Sequence, residues 1–232
     1  MHEDLYTQRQ DKANWALGLS LLSLLGFGLS AWLSCCFLSR DAAAVGAVLL
    51  MLPSIPLHWK GKKNKALYFY SFALNSIANG LTVAVYYLSF QIPLDIVSVF
   101  LGLLVPAVLL LCAYLFFGVL QKARSWTTLL LLLSNLALMV GAVVKWVKDG
   151  SPVYSVCFFG LIFSLIYIII YSVSLYRQNR CVHRDLSMGS YGIFAIIGVV
   201  VIVILSEGEA LDCVFEGIGE LIPGRSKKPK AK

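Results

Sequence analysis

The chain has 232 residues, 59% of them hydrophobic and only 13% charged, with a mean hydropathy of +0.81. Soluble domains carry roughly a quarter charged residues, so this composition excludes one, and the apolar runs leave no room for a separate soluble catalytic domain. The net charge of +7 comes from basic residues lying between apolar runs, which is a topology signal and argues against nucleic acid as a partner.

The pattern predicts an all-α, polytopic integral membrane protein: a bundle of about seven transmembrane helices followed by a short amphipathic C-terminal helix. Residues 1–14 hold His2, Glu3, Asp4, Arg9, Asp11 and Lys12 and are expected to form a cytoplasmic segment. The apolar run that follows is too long for a signal-peptide core, so the first span is expected to be retained. Span 1 covers about residues 15–38. Trp15 and Trp32 are suited to the two interfaces, and Ser20, Ser23, Gly26, Ser30 and Ser34 allow close helix approach. After Arg40 and Asp41, span 2 covers about 42–57, and Pro53 and Pro56 are expected to kink or end it. His58 reads as an interfacial histidine rather than a ligand.

Lys60, Lys62, Lys63 and Lys65 form the densest basic cluster between spans and belong on the cytoplasmic side. Span 3, about 66–90, carries a polar stripe. At 100° per residue, Ser71, Asn75, Asn79, Thr82, Tyr86 and Ser89 fall within about 80° of one another. An unpaired amide in hydrocarbon costs about 2 kcal/mol or more, so this stripe must face other helices or a water-filled cavity, and span 3 belongs at the centre. Span 4, about 94–120, is expected to kink at Pro106.

Span 5, about 127–147, buries Ser134 and Asn135 among leucines and ends where Lys145 and Lys148 can snorkel beside Trp146. Span 6, about 153–176, has a second stripe of Ser164, Tyr167, Tyr171 and Ser174, again within about 80°. The longest internal loop is read from Tyr176 to Ser190, and span 7, about 190–206, contains no ionisable residue. Residues 207–232 divide into an amphipathic stretch, with Leu211, Phe215, Ile218 and Ile222 on one side, and a basic tail. The hydropathy order of spans 1 to 3 loosely returns in spans 5 to 7, which permits a three-plus-one-plus-three duplication.

The two stripes supply the candidate site. Asn75, Asn79, Thr82 and Tyr86 from span 3, with Ser164, Tyr167 and Tyr171 from span 6, are the expected cavity-lining or ligand-binding residues. No Asp, Glu, Lys or Arg lies in mid-span, which argues against proton or cation coupling. The triplet His183, Arg184 and Asp185 matches a kinase motif by chance, because no glycine-rich loop accompanies it. Six scattered cysteines show no metal-site spacing, and no catalytic residue, metal site or cofactor is expected.

The expected function is a small-solute permease or binding protein with a polar cavity between spans 3 and 6. The alternatives are a non-catalytic accessory or assembly subunit of a membrane complex and, third, an intramembrane enzyme. Its expected partners are the lipid bilayer together with a small neutral solute or a membrane protein.

The basic loops place the N-terminus in the cytoplasm and, after seven spans, the C-terminus outside, in a plasma or inner membrane. Cysteines introduced at Ser39 and Ser151 should therefore react with an impermeant thiol reagent on intact cells, while those at Asn64 and Gln178 stay protected. Labelling of Asn64→Cys from outside would reverse the orientation.

Overall fold

The computed structural model describes residues 2–119, 125–176 and 181–207. They form seven α-helices: α1 (His2–Phe37), α2 (Arg40–Lys60), α3 (Lys65–Ser89), α4 (Ile96–Tyr114), α5 (Ser125–Asp149), α6 (Pro152–Tyr176) and α7 (Val182–Leu205). A π-helical turn, Leu115–Val119, extends α4. No strand occurs among the described residues. The amphipathic stretch and basic tail expected over 207–232 lie outside the described residues from 208 onward.

Short polar residues start several helices. The side-chain oxygens of Ser39, Asn64 and Asp95 accept from the amides of Ala42, Ala66 and Ser98, at 3.3, 3.0 and 3.1 Å. The Ser98 hydroxyl and amide, both donating to Asp95, hold its carboxyl below the usual carboxylate range. Between α5 and α6 the chain reverses at Gly150, whose φ of +63° suits the left-handed position after a helix.

Three boundaries differ from the sequence reading. Helix α1 starts at His2, so helix runs through nearly all of the expected 1–14 segment, and Ala13 within it is fully buried. Helix α2 runs through Pro53 and Pro56 to Lys60. Each proline removes one backbone donor, and the flanking turns hold the helix together. Helix α7 starts at Val182, about two turns before the expected span, so His183, Arg184 and Asp185 sit on its first turn rather than in a loop.

Six of the seven helices are long and apolar enough to cross a bilayer, which is the make-up of a membrane-embedded helical bundle. The exception is α3, whose asparagines and serines lower its hydropathy, yet it is flanked by three neighbours, α1, α2 and α7. The second half repeats this wedge: α6 lies between α4 and α5 and also meets α1 and α7. Packing thus groups helices 1 to 3 and 4 to 6, whereas the duplication suggested by hydropathy would have paired α5 with α7. Trp15, Trp59 and Trp126, in the first half of α1, at the end of α2 and at the start of α5, are each more than half exposed. They mark one end of the bundle, as an interfacial tryptophan belt would.

Because lipid is as apolar as leucine, close fit rather than water exclusion holds such helices together. The core is filled by Phe27, Tyr87, Phe159, Phe163, Tyr167 and Tyr171, all nearly inaccessible. The tightest approach is at Gly80, where α3 crosses α1. A Cβ there would clash with Ser30 Oγ and come within 2.5 Å of the Phe27 carbonyl oxygen. Backbone cannot move aside as a flexible side chain can. Gly80→Ala should therefore cost at least about 1–3 kcal/mol, read as a lowered unfolding midpoint in detergent. Gly141→Ala, where a Cβ meets nothing within 4 Å, is the matched control and should be near neutral.

Candidate functional site

Asn75 and Asn79 are both fully buried. Asn75 uses both ends of its amide between helices: Nδ2 donates to Ser190 Oγ on α7 at 2.9 Å, and Oδ1 accepts from Ser54 Oγ on α2 at 3.0 Å. One turn on, Asn79 Nδ2 turns back to the Asn75 carbonyl at 2.8 Å, and its Oδ1 has no partner. Thr82 bonds back to the Ala78 carbonyl at 2.9 Å. Tyr86 stacks edge-on against Trp146 of α5 and Tyr87, and at a tilt against Phe90.

The α6 residues face elsewhere. Ser164 accepts from Asn135 Nδ2 on α5 and donates to the Leu161 carbonyl at 3.0 Å. Tyr167 OH donates at 2.9 Å to Ser23 Oγ on α1, which is itself bonded to Ser76 on α3. Tyr171 OH donates to the Ala13 carbonyl at 2.8 Å. The seven predicted residues are thus divided among several helix contacts rather than brought round one space. The cleft beside His58 and three smaller cavities have other linings, and none of the seven borders these four.

The main polar cluster joins α2, α3 and α7 instead of α3 and α6. His58 Nδ1 lies 3.0 Å from Ser187 Oγ, Ser187 Oγ donates to Ser71 Oγ at 3.1 Å, and Ser71 Oγ donates to the Ser54 carbonyl at 3.0 Å. Tyr191 OH donates to the same carbonyl at 2.7 Å. His58 is buried near the end of α2, with Tyr68 and Tyr191 edge-on to its ring, and is a member of this cluster.

Sequence reasoning missed Ser54, Ser187, Ser190 and Tyr191. The available signal was their spacing: Ser187, Ser190 and Tyr191 share a face once α7 is allowed to begin at Val182. Among the described residues no group of three or more His, Cys, Asp or Glu side chains could hold a metal ion. The described cysteines are unpaired.

The fold and this cluster define a class, an all-helical bundle of membrane character tied together by buried hydroxyls and amides. Comparison with protein-family models, with curated proteins and with solved structures gives no match.

The two asparagines should respond differently to the same change. Asn75→Leu breaks two bonds to other helices and leaves Ser54 and Ser190 to find new partners, a loss of about 1 kcal/mol at some 0.6 kcal/mol per bond. Asn79→Leu removes an unpartnered buried oxygen and no interhelical bond, so it should be neutral or stabilising. Unfolding of both variants in bicelles, followed by steric trapping, measures the difference.

Proposed function

We propose that this chain is a non-catalytic accessory or assembly component of a membrane, a closed helical bundle rather than a solute path. The observation that supports this best is Asn75. One of the two candidate cavity-lining amides of α3 is used at both ends to tie that helix to α2 and α7, with no exposed surface. Tyr167 and Ser164 are spent in the same way on α1 and α5. Helices α2 and α5 bury few side chains and expose long apolar faces, surfaces that suit lipid or a neighbouring membrane protein. The orientation with the lysine cluster inside belongs to the same reading: the Lys60 to Lys65 turn lies at the tryptophan-marked end with the start of α1.

One observation favours the solute-permease reading as the second choice. Asn79 Oδ1 is buried without a donor, an arrangement that a transient water or solute hydroxyl would satisfy.

Two measurements separate the readings. A small membrane-permeant thiol reagent should label Asn79→Cys no more than the parent chain, whose exposed Cys36 gives the background. Liposomes containing the purified chain should take up glycerol or glucose no faster than empty liposomes. Labelling at position 79 together with solute entry that Asn79→Leu blocks would replace the accessory reading with a permease.

A further inference from the structure

Two adjoining cavities open at the end of the bundle marked by Trp59. The larger, about 610 Å³, is a cleft between α6 and α7 beside the end of α2, and its walls change character along its length. Ile166, Ile169, Ile170, Val173 and Met188 make an apolar channel, while His58, Arg184 and Asp185 make a polar mouth. The smaller, about 370 Å³, lies in the turn between α2 and α3 and is lined by Lys62, Lys63, Lys65, Tyr68 and Cys181. Arg184 borders both.

We propose that these cavities together bind one anionic phospholipid of the surrounding bilayer, with its phosphate at the Arg184 and lysine mouth and an acyl chain along the isoleucine channel. The proposal rests on the chain's membrane character and not on whether it is an accessory subunit or a permease.

Charge complementarity chooses the headgroup. Four cations, Lys62, Lys63, Lys65 and Arg184, converge on the two mouths against the single carboxylate of Asp185, which holds Arg184 at 3.7 Å. The three lysines are exposed and make no ion pair among the described residues, which leaves an excess of positive charge at the two mouths. Planar guanidinium and mobile ammonium groups are the ordinary ligands of a phosphate diester. Depth chooses the tail. The channel residues lie on membrane-spanning helices one to three turns from the polar mouth, and Trp59 beside them is 70% exposed at headgroup level. A free phosphate would use the mouth and leave the apolar part of the 610 Å³ cleft unfilled. A zwitterionic lipid would fill the cleft and gain nothing from four cations. Basic pockets between spans on the cytoplasmic side are suited to anionic headgroups on these grounds.

The test is native mass spectrometry of the full chain, released from nanodiscs of mixed palmitoyl-oleoyl phosphatidylglycerol and phosphatidylcholine. One phosphatidylglycerol should be retained in preference to phosphatidylcholine. Removing a cation should weaken retention about fivefold, so Arg184→Gln and the exposed-turn pair Lys62→Gln with Lys65→Gln each reduce the lipid-bound fraction. The lysine variants change only exposed side chains and keep the test valid if Arg184→Gln fails to fold. Met188→Asp, which places a charge in the channel, should lower retention of both lipids, whereas inorganic phosphate at millimolar concentration should displace neither. Equal retention of the two lipids, or unchanged retention in folded charge variants, overturns the proposal. Displacement by inorganic phosphate overturns it in favour of a free-anion site.

Discussion

A helix whose amides and hydroxyls are surrounded by hydrocarbon must find every partner inside the protein, and α3 sets the architecture because it carries the most such groups. Its stripe can be satisfied only by neighbours that offer hydroxyls at matching heights. Helix α2 supplies Ser54, α7 supplies Ser187, Ser190 and Tyr191, and α1 supplies Ser23 to Ser76. Each bond is worth little by itself in a membrane. Their effect is on specificity: rotating α3 by one residue would turn Asn75 by 100° toward lipid or a leucine face, leaving two amide groups bare.

The α4 to α6 half is held by shape. Gly102 of α4 brings that helix so close to α6 that a Cβ would lie 2.8 Å from the Val153 carbonyl, and Pro106 fills the space beside Gly160. Aromatic rings then bridge the halves, Phe27 against Phe163 and Tyr86 against Phe159, with Tyr87 OH bonded to Ser155 at 2.6 Å. Polar groups thus tie α3 to α2 and α7, and close fit joins α4 to α6.

The number and order of helices were legible because apolar runs separated by short polar turns leave little choice. The central place of α3 was legible too, since its stripe demanded partners. The partners themselves were not. A helical wheel reports a direction without saying which helix stands there, and an arc of about 80° is wide enough to address two neighbours. Asn75 therefore bonds to α2 and α7 instead of α6, and the Tyr167 hydroxyl bonds to α1 while its ring packs against Phe72 of α3. The start of α7 was hidden by Arg184 and Asp185, which look like loop residues to a hydropathy scan although a helix end tolerates them. Pro53 and Pro56 read as a kink or an end of the helix because local rules count the lost donors and not the surrounding helix that restrains the chain.

The chain of short contacts from His58 to the Ser54 carbonyl also fixes where hydrogens lie. A carbonyl can only accept, and each serine has a single hydroxyl proton, which Ser71 gives to Ser54 and Ser187 gives to Ser71. Both contacts of Ser187 are then made when His58 Nδ1 carries the proton; in the other tautomer Ser187 turns its proton to the ring and gives up Ser71. The chain of bonds that ties α2, α3 and α7 together is therefore complete in one imidazole tautomer and broken at one link in the other, which couples the packing of three helices to the position of a single proton.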